Sequence, residues 1–302
     1  VKRIGPYVHN TPVLTSSTID RMLRASVYFK CENFQRGGAF KIRGAVNAIL
    51  QLSEDERARG VITHSSGNFA AALALAANAL NSKAYIVMPT NAPSVKRNAV
   101  ASYGAQIIDC GPTLESREST MKLHQKRLGA TFVHPSNDMN VILGNATAVM
   151  ELAKKVEQLD VVIAPVGGGG LLAGTALAVN HLHYYMDTIG AEPFGADDAY
   201  LSLKTGKIQP SINPKTIADG LKTQLGDQNF PIIQKFVSKI IRVEESEIIE
   251  AMKFIWERMK IVIEPSSAVA VAAMFRNSGE FKNRKVGVIL SGGNVDLSSL
   301  PF

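Results

Sequence analysis

The sequence predicts an α/β protein built from two doubly wound sheet domains. Short apolar runs alternate with amphipathic helical stretches along most of the 302 residues, which is the pattern of βαβ units and parallel sheets. Several apolar runs end in glycine or serine clusters, as at Ser65–Gly67, Gly167–Gly170 and Ser291–Gly293. Strands near residues 60, 83, 105 and 131 form a compact block, with the glycine-loop strand and the C-terminal strand outside it.

Taken in order, Gly60–His64 reads as a strand, Asn68–Leu80 as a helix, Lys83–Met88 as a strand and Pro93–Tyr103 as a helix. Ala105–Asp109 is a strand, Glu115–Arg127 a helix, Thr131–His134 a strand and Gly144–Val156 a helix. Asp160–Pro165 is a strand and Gly170–His183 a helix. A strand near Ile240–Val243, helices Glu245–Met259 and Ser266–Arg276, and a strand Lys285–Leu290 complete the pattern. No repeat or low-complexity linker separates the units, so the second domain is inserted in the first. The expected division is a small mobile domain, 53–140, within a large domain of 1–52 and 141–302, with the site between them.

Composition narrows the function. Apolar residues make up 46% and charged residues 20%, as in soluble globular proteins. Lys+Arg 33 against Asp+Glu 26 gives +7, but the positive residues are scattered and there is one Trp. That is a solvated basic surface rather than a nucleic-acid site. Val161–Val179 carries no charge, yet it holds Pro165 and five glycines. A strand, a glycine loop and a helix explain it better than a membrane span, where such a backbone would be left unpaired. Two cysteines, Cys31 and Cys110, exclude a disulfide scaffold and point to a reducing, cytoplasmic setting. The start at Val1 rather than Met suggests a missing N-terminal piece, and no apolar targeting segment is visible.

Four motifs carry chemistry. In Gly37-Gly-Ala-Phe-Lys-Ile-Arg-Gly-Ala45, Lys41 precedes the amphipathic stretch Val46–Leu52. A partly desolvated lysine has a lowered pKa and becomes a nucleophile or base; alone, a surface lysine at a helix start explains it equally. Thr63-His-Ser-Ser-Gly-Asn-Phe69 leads from a strand into a helix, whose free amides and dipole favour a carboxylate. Capping by Asn68 is the plainer alternative. Pro165-Val-Gly-Gly-Gly-Gly-Leu-Leu-Ala-Gly174 lets a backbone wrap a phosphate. A dinucleotide fingerprint, Gly168-x-Gly170-x-x-Ala173 with Glu192 beyond, can be laid on it, but four glycines satisfy many patterns. Val288-Ile-Leu-Ser-Gly-Gly-Asn-Val-Asp296 places the Ser291 hydroxyl at the carboxyl edge of a sheet, where α/β proteins bind ligands.

In order, AFKIRGA, THSSGN, PVGGGGLLAG, ADGLK and LSGGNVD resemble the fold type II pyridoxal-phosphate enzymes, and among them the serine racemase and serine/threonine dehydratase group. The similarity runs from Thr11 to Leu297. It implies that Lys41 holds pyridoxal 5'-phosphate as a Schiff base and that Phe40 lines the pocket. Asn68 would contact the phenolic oxygen, Gly167, Gly168, Gly169 and Gly170 with the Leu171 amide would cradle the phosphate, and Ser291 would bond the pyridine nitrogen. Gly220 would lie near the cofactor. Ser65, Ser66, Gly67 and Phe69, beside Asn68, would hold the substrate carboxylate, with Thr223 near the substrate. Lys41 and Ser66 would handle protons on opposite faces. A neutral serine partner leaves the pyridine ring neutral and the electron sink weaker, which suits racemisation or β-elimination.

The same resemblance makes Glu192, the Ala196 carbonyl and Asp198 ligands for Mg²⁺, Mn²⁺ or Ca²⁺, after an apolar strand. All-oxygen ligands suit hard cations, though an acidic helix start would use Asp197 and Asp198 as well. The six histidines show no zinc spacing with the cysteines. Met252, Trp256 and Met259 fall on one helical face as core, and Glu264 is placed either near the cofactor pocket or, equally, as a charge at a helix start. Three positions depart from the family: Phe69 stands where His is usual, Gly144-Asn-Ala-Thr147 where Gly-Gln-Gly-Thr is usual, and Ser267 where Gly is usual.

The expectation is a cytoplasmic homodimer acting on serine or another small hydroxy amino acid, by racemisation, by dehydration to the 2-oxo acid and ammonia, or by both. A threonine or 3-hydroxyaspartate dehydratase is the alternative within the fold. The lack of a C-terminal extension argues against a feedback-regulated threonine dehydratase. Two rivals come from other classes: a nucleotide-dependent oxidoreductase, which leaves Lys41 and Ser291 without a purpose, and a non-catalytic cofactor-binding protein.

Overall fold

The computed structural model describes the whole chain except Pro93, His183 and Tyr184. Its strands are β1 (Val13–Leu14), β2 (Ser26–Cys31), β3 (Val61–His64), β4 (Ala84–Pro89), β5 (Gln106–Cys110), β6 (Thr131–Phe132), β7 (Val161–Pro165), β8 (Asp187–Pro193), β9 (Lys239–Val243) and β10 (Lys285–Leu290). One sheet runs β1-β2-β10-β7-β8-β9, the other β5-β4-β3-β6. All neighbours are parallel except β1 and β2.

The period of two along each strand decides what it buries. Val27, Phe29, Val161, Ile163, Val286 and Val288 face a core shared with helices Glu245–Met259 and Pro265–Arg276. Val162, Ala164, Ile240 and Ile289, one residue out of step, pack with helices Thr147–Lys155, Gly170–Leu182 and Phe230–Phe236. In the smaller sheet Val61, Ile86 and Met88 join helix Asn68–Ala79, and this core also takes Ile42, Val46 and Ile49 of helix Lys41–Leu50. Ile62, Tyr85, Val87 and Ile108 pack with Met121 of helix Leu114–Leu128 on the other face.

Most expected elements form within a residue or two of their expected bounds, and the differences have local causes. Lys41 itself opens a helix, ahead of the stretch expected from Val46. The single helix expected over Gly144–Val156 is two, Met139–Asn145 and Thr147–Lys155. They meet at Ala146 without unwinding, since Ala146 N still bonds Ile142 O (3.0 Å) and Met150 N bonds Ala146 O (3.2 Å). β6 ends at Phe132 rather than His134 because the chain turns there, with the His134 ring accepting from Ser136 and Asn137 amides. β1, β2 and helix Ser17–Leu23 form where no element was expected. Glu192 lies inside β8 rather than after it. The expected helix start Pro93 and helix end His183 lie outside the described residues. No described helix is long and apolar enough to cross a membrane.

Candidate active site

The site is assembled where strands of both sheets end at their carboxyl edges, the usual ligand position in open α/β sheets. Ser291 follows β10 directly and is buried. Its carbonyl accepts from Phe40 N (3.0 Å), Gly293 N donates to Gly38 O (2.9 Å), and Ala39 bridges Gly292. The exit of β10 is thus strapped to the turn before Lys41, the first residue of helix Lys41–Leu50.

Lys41 Nζ donates to Pro135 O at 2.9 Å. It stands 5.0 Å from the Phe40 ring centre and 5.6 Å from that of Phe69. The residue as a whole is half-buried, but protein displaces water from the ammonium and brings its pKa down to about 8, against the opposing pull of Glu264. About a tenth of the amine is then free at pH 7, far more than for an ordinary lysine, as a nucleophile or base requires.

Asn68 does not cap its helix. Gly67 holds the cap position, and no side chain caps there. The Asn68 amide instead donates to both Glu264 oxygens (2.9 and 3.1 Å), while its Oδ1 accepts from Asn294 Nδ2 (3.0 Å). Burial pushes the Glu264 carboxyl up to about 7, opposed by the Asn68 hydrogen bond. Ser65, Ser66 and Gly67 are half-buried, and Gly67 N donates to Ser65 Oγ (3.3 Å). The amides of Asn68 and Phe69, in the first turn, have no intrahelical acceptor and can meet a carboxylate.

The glycine run is required by backbone geometry. Gly169 has φ +82, and a Cβ on Gly168 would collide with Ser136 Oγ and stand 3.0 Å from Thr223 Oγ1. Asn229 Nδ2 ties Gly168 O (2.8 Å) to Ser136 O (3.2 Å). The first intrahelical bond is Ala173 N to Gly169 O (2.9 Å), so the amides of Gly170, Leu171 and Leu172 remain for an anion. Gly220 abuts Gly167 and donates to Ser266 Oγ (3.0 Å). These residues fit a phosphate: free amides, a helix N-terminus and two hydroxyls beside the loop.

Contacts therefore join Phe40, Lys41, Asn68, Phe69 and Ser291 directly. Gly167–Leu171, Gly220 and Thr223 connect to them through the turn at Pro135 and Ser136. Ser66 belongs to the loop before Asn68, with no side-chain hydrogen bond among the described residues.

Glu192, Ala196 and Asp198 make a separate place at the end of β8. Glu192 is fully buried and accepts from Ala199 N (3.0 Å) and Tyr200 N (2.8 Å). Among the described residues both oxygens of the buried Asp198 lack a hydrogen-bond partner. They border a cavity of about 290 Å³, which also presents Ala196 and Ser211. Burial raises both carboxyls, Asp198 to about 6. Among the described residues no three His, Cys, Asp or Glu side chains group for a metal. A cation here would draw on two carboxylates, main-chain oxygen and water. Orphaned buried oxygens fit a hard cation.

Sequence reasoning gave no site role to His134, Ser136, Asn229 and Asn294, and it left Glu264 between the cofactor pocket and a helix-start charge; its bonds to Asn68 favour the pocket. Glu264 is the N-cap residue of helix Pro265–Arg276, but its carboxylate makes no capping bond there. The available signal for His134 and Ser136 was their place just beyond a strand of the inserted block.

The family of pyridoxal-phosphate dependent enzymes matches residues 4–292. The chain is 50% identical over 305 positions to serine racemase of Dictyostelium discoideum, covering 99% of this chain and 94% of that protein. It is 46% identical over 301 positions to beta-hydroxyaspartate dehydratase of Paracoccus denitrificans (strain Pd 1222), covering 100% and 96%. The crystal structure of the Dictyostelium discoideum serine racemase matches with a TM-score of 0.94 at 50% identity, covering 98% of this chain and 96% of that one. The chain belongs to the pyridoxal-phosphate-dependent enzymes, in their fold type II, and the oxidoreductase reading is set aside.

Proposed function

We propose that this chain is a serine racemase that also carries out α,β-elimination on serine, giving pyruvate and ammonia. The observation that carries it is Lys41: a lysine of lowered pKa, held on Pro135 O at a sheet edge, between an anion-binding helix start and a glycine loop. When bound, pyridoxal phosphate supplies the electron sink that acidifies the Cα–H of an attached amino acid.

Each residue then has a task. Lys41 holds the cofactor and takes or returns the Cα proton on one face; Ser66 serves the other. Ser65, Ser66, Gly67 and the Asn68 and Phe69 amides hold the carboxylate, and Thr223 faces the substrate. Gly167–Gly170 and the Leu171 amide hold the phosphate, with Gly220 alongside. Ser291 meets the pyridine nitrogen as a neutral partner. Asn68, fixed by Glu264 and Asn294, orients the ring oxygen edge, and Phe40 walls the pocket.

Glu192, Ala196 and Asp198 hold a divalent cation that supports the fold. Residues 53–140 act as a smaller lobe that shifts against the rest. The reading extends to a cytoplasmic homodimer. The two free, buried cysteines suit a reducing compartment. The exposed apolar Met139 and Leu143, one turn apart, offer surface to a second copy.

A second reading, dehydration of 3-hydroxyaspartate, is favoured by the 46% identity to the Paracoccus dehydratase. The pure protein, incubated with L- and D-serine, threonine and 3-hydroxyaspartate and assayed for 2-oxo acid and enantiomer, decides between them. Serine inversion with pyruvate release supports the first reading; release from 3-hydroxyaspartate alone supports the second. Ser66→Ala should suppress racemisation and D-serine elimination far more than L-serine elimination. An equal fall in all three, with cofactor absorbance unchanged, would make Ser66 a binding residue only.

A further inference from the structure

The turn at residues 134–137 touches both halves of the site. Pro135 O receives Lys41 Nζ (2.9 Å). Ser136 backs the glycine loop, where its Oγ would block a Cβ on Gly168 and its carbonyl shares Asn229 Nδ2 with Gly168 O. The turn has its own organiser. His134 Nδ1 lies 2.8 Å from Asn137 N and 3.1 Å from Ser136 N. Both partners are donors, so Nδ1 presents a lone pair and the ring proton sits on Nε2. The arrangement is that of an Asx turn, with an imidazole nitrogen in place of the carboxyl oxygen.

The surroundings keep the ring neutral and in place. Its edge meets His64 (6.0 Å between ring centres, 87°) and Phe132 (5.8 Å, 80°). Burial first, then the nearby His64 and Lys41, bring the His134 pKa down to about 4, with Asp227 opposing. A protonated Nδ1 would point a donor at two donors.

We propose that His134 is a positioning residue: its neutral imidazole caps the turn at residues 134–137, aims the Pro135 carbonyl at Lys41 and seats Ser136 against the glycine loop. The inference rests on the reading of Lys41 as the cofactor lysine. His134 does not exchange the substrate proton through Nδ1, because that lone pair is engaged by two amides. Removing the cap leaves those amides unsatisfied, relaxes the turn and takes the acceptor away from Lys41 Nζ.

Two variants of the holoenzyme separate this from a bulk structural role. Asparagine places its Oδ1 where Nδ1 stands, whereas glutamine extends past it and offers nothing there. His134→Asn should keep the cofactor absorbance band and kcat close to the parent. His134→Gln should lose about tenfold in kcat, the scale of a lost hydrogen bond, and release cofactor faster. Two readouts are independent of activity. Nitrogen NMR should find Nδ1 unprotonated and Nε2 protonated at neutral pH. The Ser136 and Asn137 amides should exchange slowly in the parent and in His134→Asn, and quickly in His134→Gln. A proton on Nδ1, or equal behaviour of the two variants by kcat and exchange, overturns the proposal. Cofactor found on a lysine other than Lys41 overturns the reading beneath it and the proposal with it, and peptide mapping of the parent tells that failure apart.

Discussion

Two groups of buried carboxylates in this molecule are treated in opposite ways. Glu32 and Glu151 meet cations at every turn: Arg43 Nε to Glu32 Oε2 (2.6 Å), Arg43 Nη2 to Glu151 Oε2 (2.7 Å) and Lys30 Nζ to Glu151 Oε2 (2.7 Å). Thr11 Oγ1 adds a bond to Glu32 (2.6 Å), and Thr147 Oγ1 accepts from Arg43 (3.1 Å). Glu192 and Asp198 are as deeply buried, yet among the described residues neither pairs with a cationic side chain, and the Asp198 carboxylate has no hydrogen-bond partner. The paired cluster serves architecture, pinning the helix that begins at Lys41 to β2 and to helix Thr147–Lys155. The unpaired group carries a desolvation cost that the two amides on Glu192 offset in part and that a bound cation would offset further. Glu264 stands between the two cases, satisfied by neutral amides alone.

The sharpest way to break the comparison is to unpair the paired cluster. Arg43→Met leaves two buried carboxylates with Lys30 as their only cation, and should cost about 3–5 kcal/mol in denaturant unfolding. A loss below about 1 kcal/mol would mean that the cluster is effectively solvated.

The converse is to pair the unpaired group. Mg²⁺ or Mn²⁺ at about a hundred times its Kd should stabilise metal-free protein by about 2.7 kcal/mol, seen as a higher Tm. Asp198→Asn should abolish that response and itself melt higher than the parent without metal, since it removes an unpaired buried charge. Equal melting of the parent in EDTA and in added cation would contradict the assignment.

The intermediate case is tested by pH. The Glu264 pKa is raised by burial to about 7 from an ordinary 4.5. In that window the folded protein keeps a proton that the unfolded chain releases, so its contribution is full at low pH and is lost as pH rises through about 7. Glu264→Gln should remove a fall of about 2 kcal/mol between pH 5 and 7 in cofactor-free protein. His134, whose pKa is lowered to about 4, acts in the opposite direction over part of this range, so the difference between variant and parent is the readout. Identical slopes would show Glu264 ionised throughout.

The same contrast marks what was legible in the sequence. Strands β3, β4, β5, β7 and β10 announced themselves as apolar runs. β2 was missed although Val27, Phe29 and Cys31 alternate with Tyr28 and Lys30; Lys30 is a buried cation that reads as a surface residue until Glu151 is placed beside it. Lys41, the glycine loop and Ser291 were legible because each sits in a local motif. Glu264, His134 and Ser136 act through partners far away in the chain: Glu264 with Asn68, Ser136 with Gly168, and the His134 turn with Lys41. No local pattern records those pairings. Asn68 shows the converse, a residue whose good capping chemistry is overridden by a buried carboxylate 196 positions on.

The central claim is that Lys41 carries the cofactor. Borohydride reduction of the protein saturated with pyridoxal phosphate, followed by proteolysis and mass mapping, should place the pyridoxyl adduct on the peptide containing Lys41, with loss of the visible absorbance band. Lys41→Ala should show neither adduct nor band. An adduct fixed at another lysine, or a borohydride-sensitive band that persists in Lys41→Ala, would contradict it.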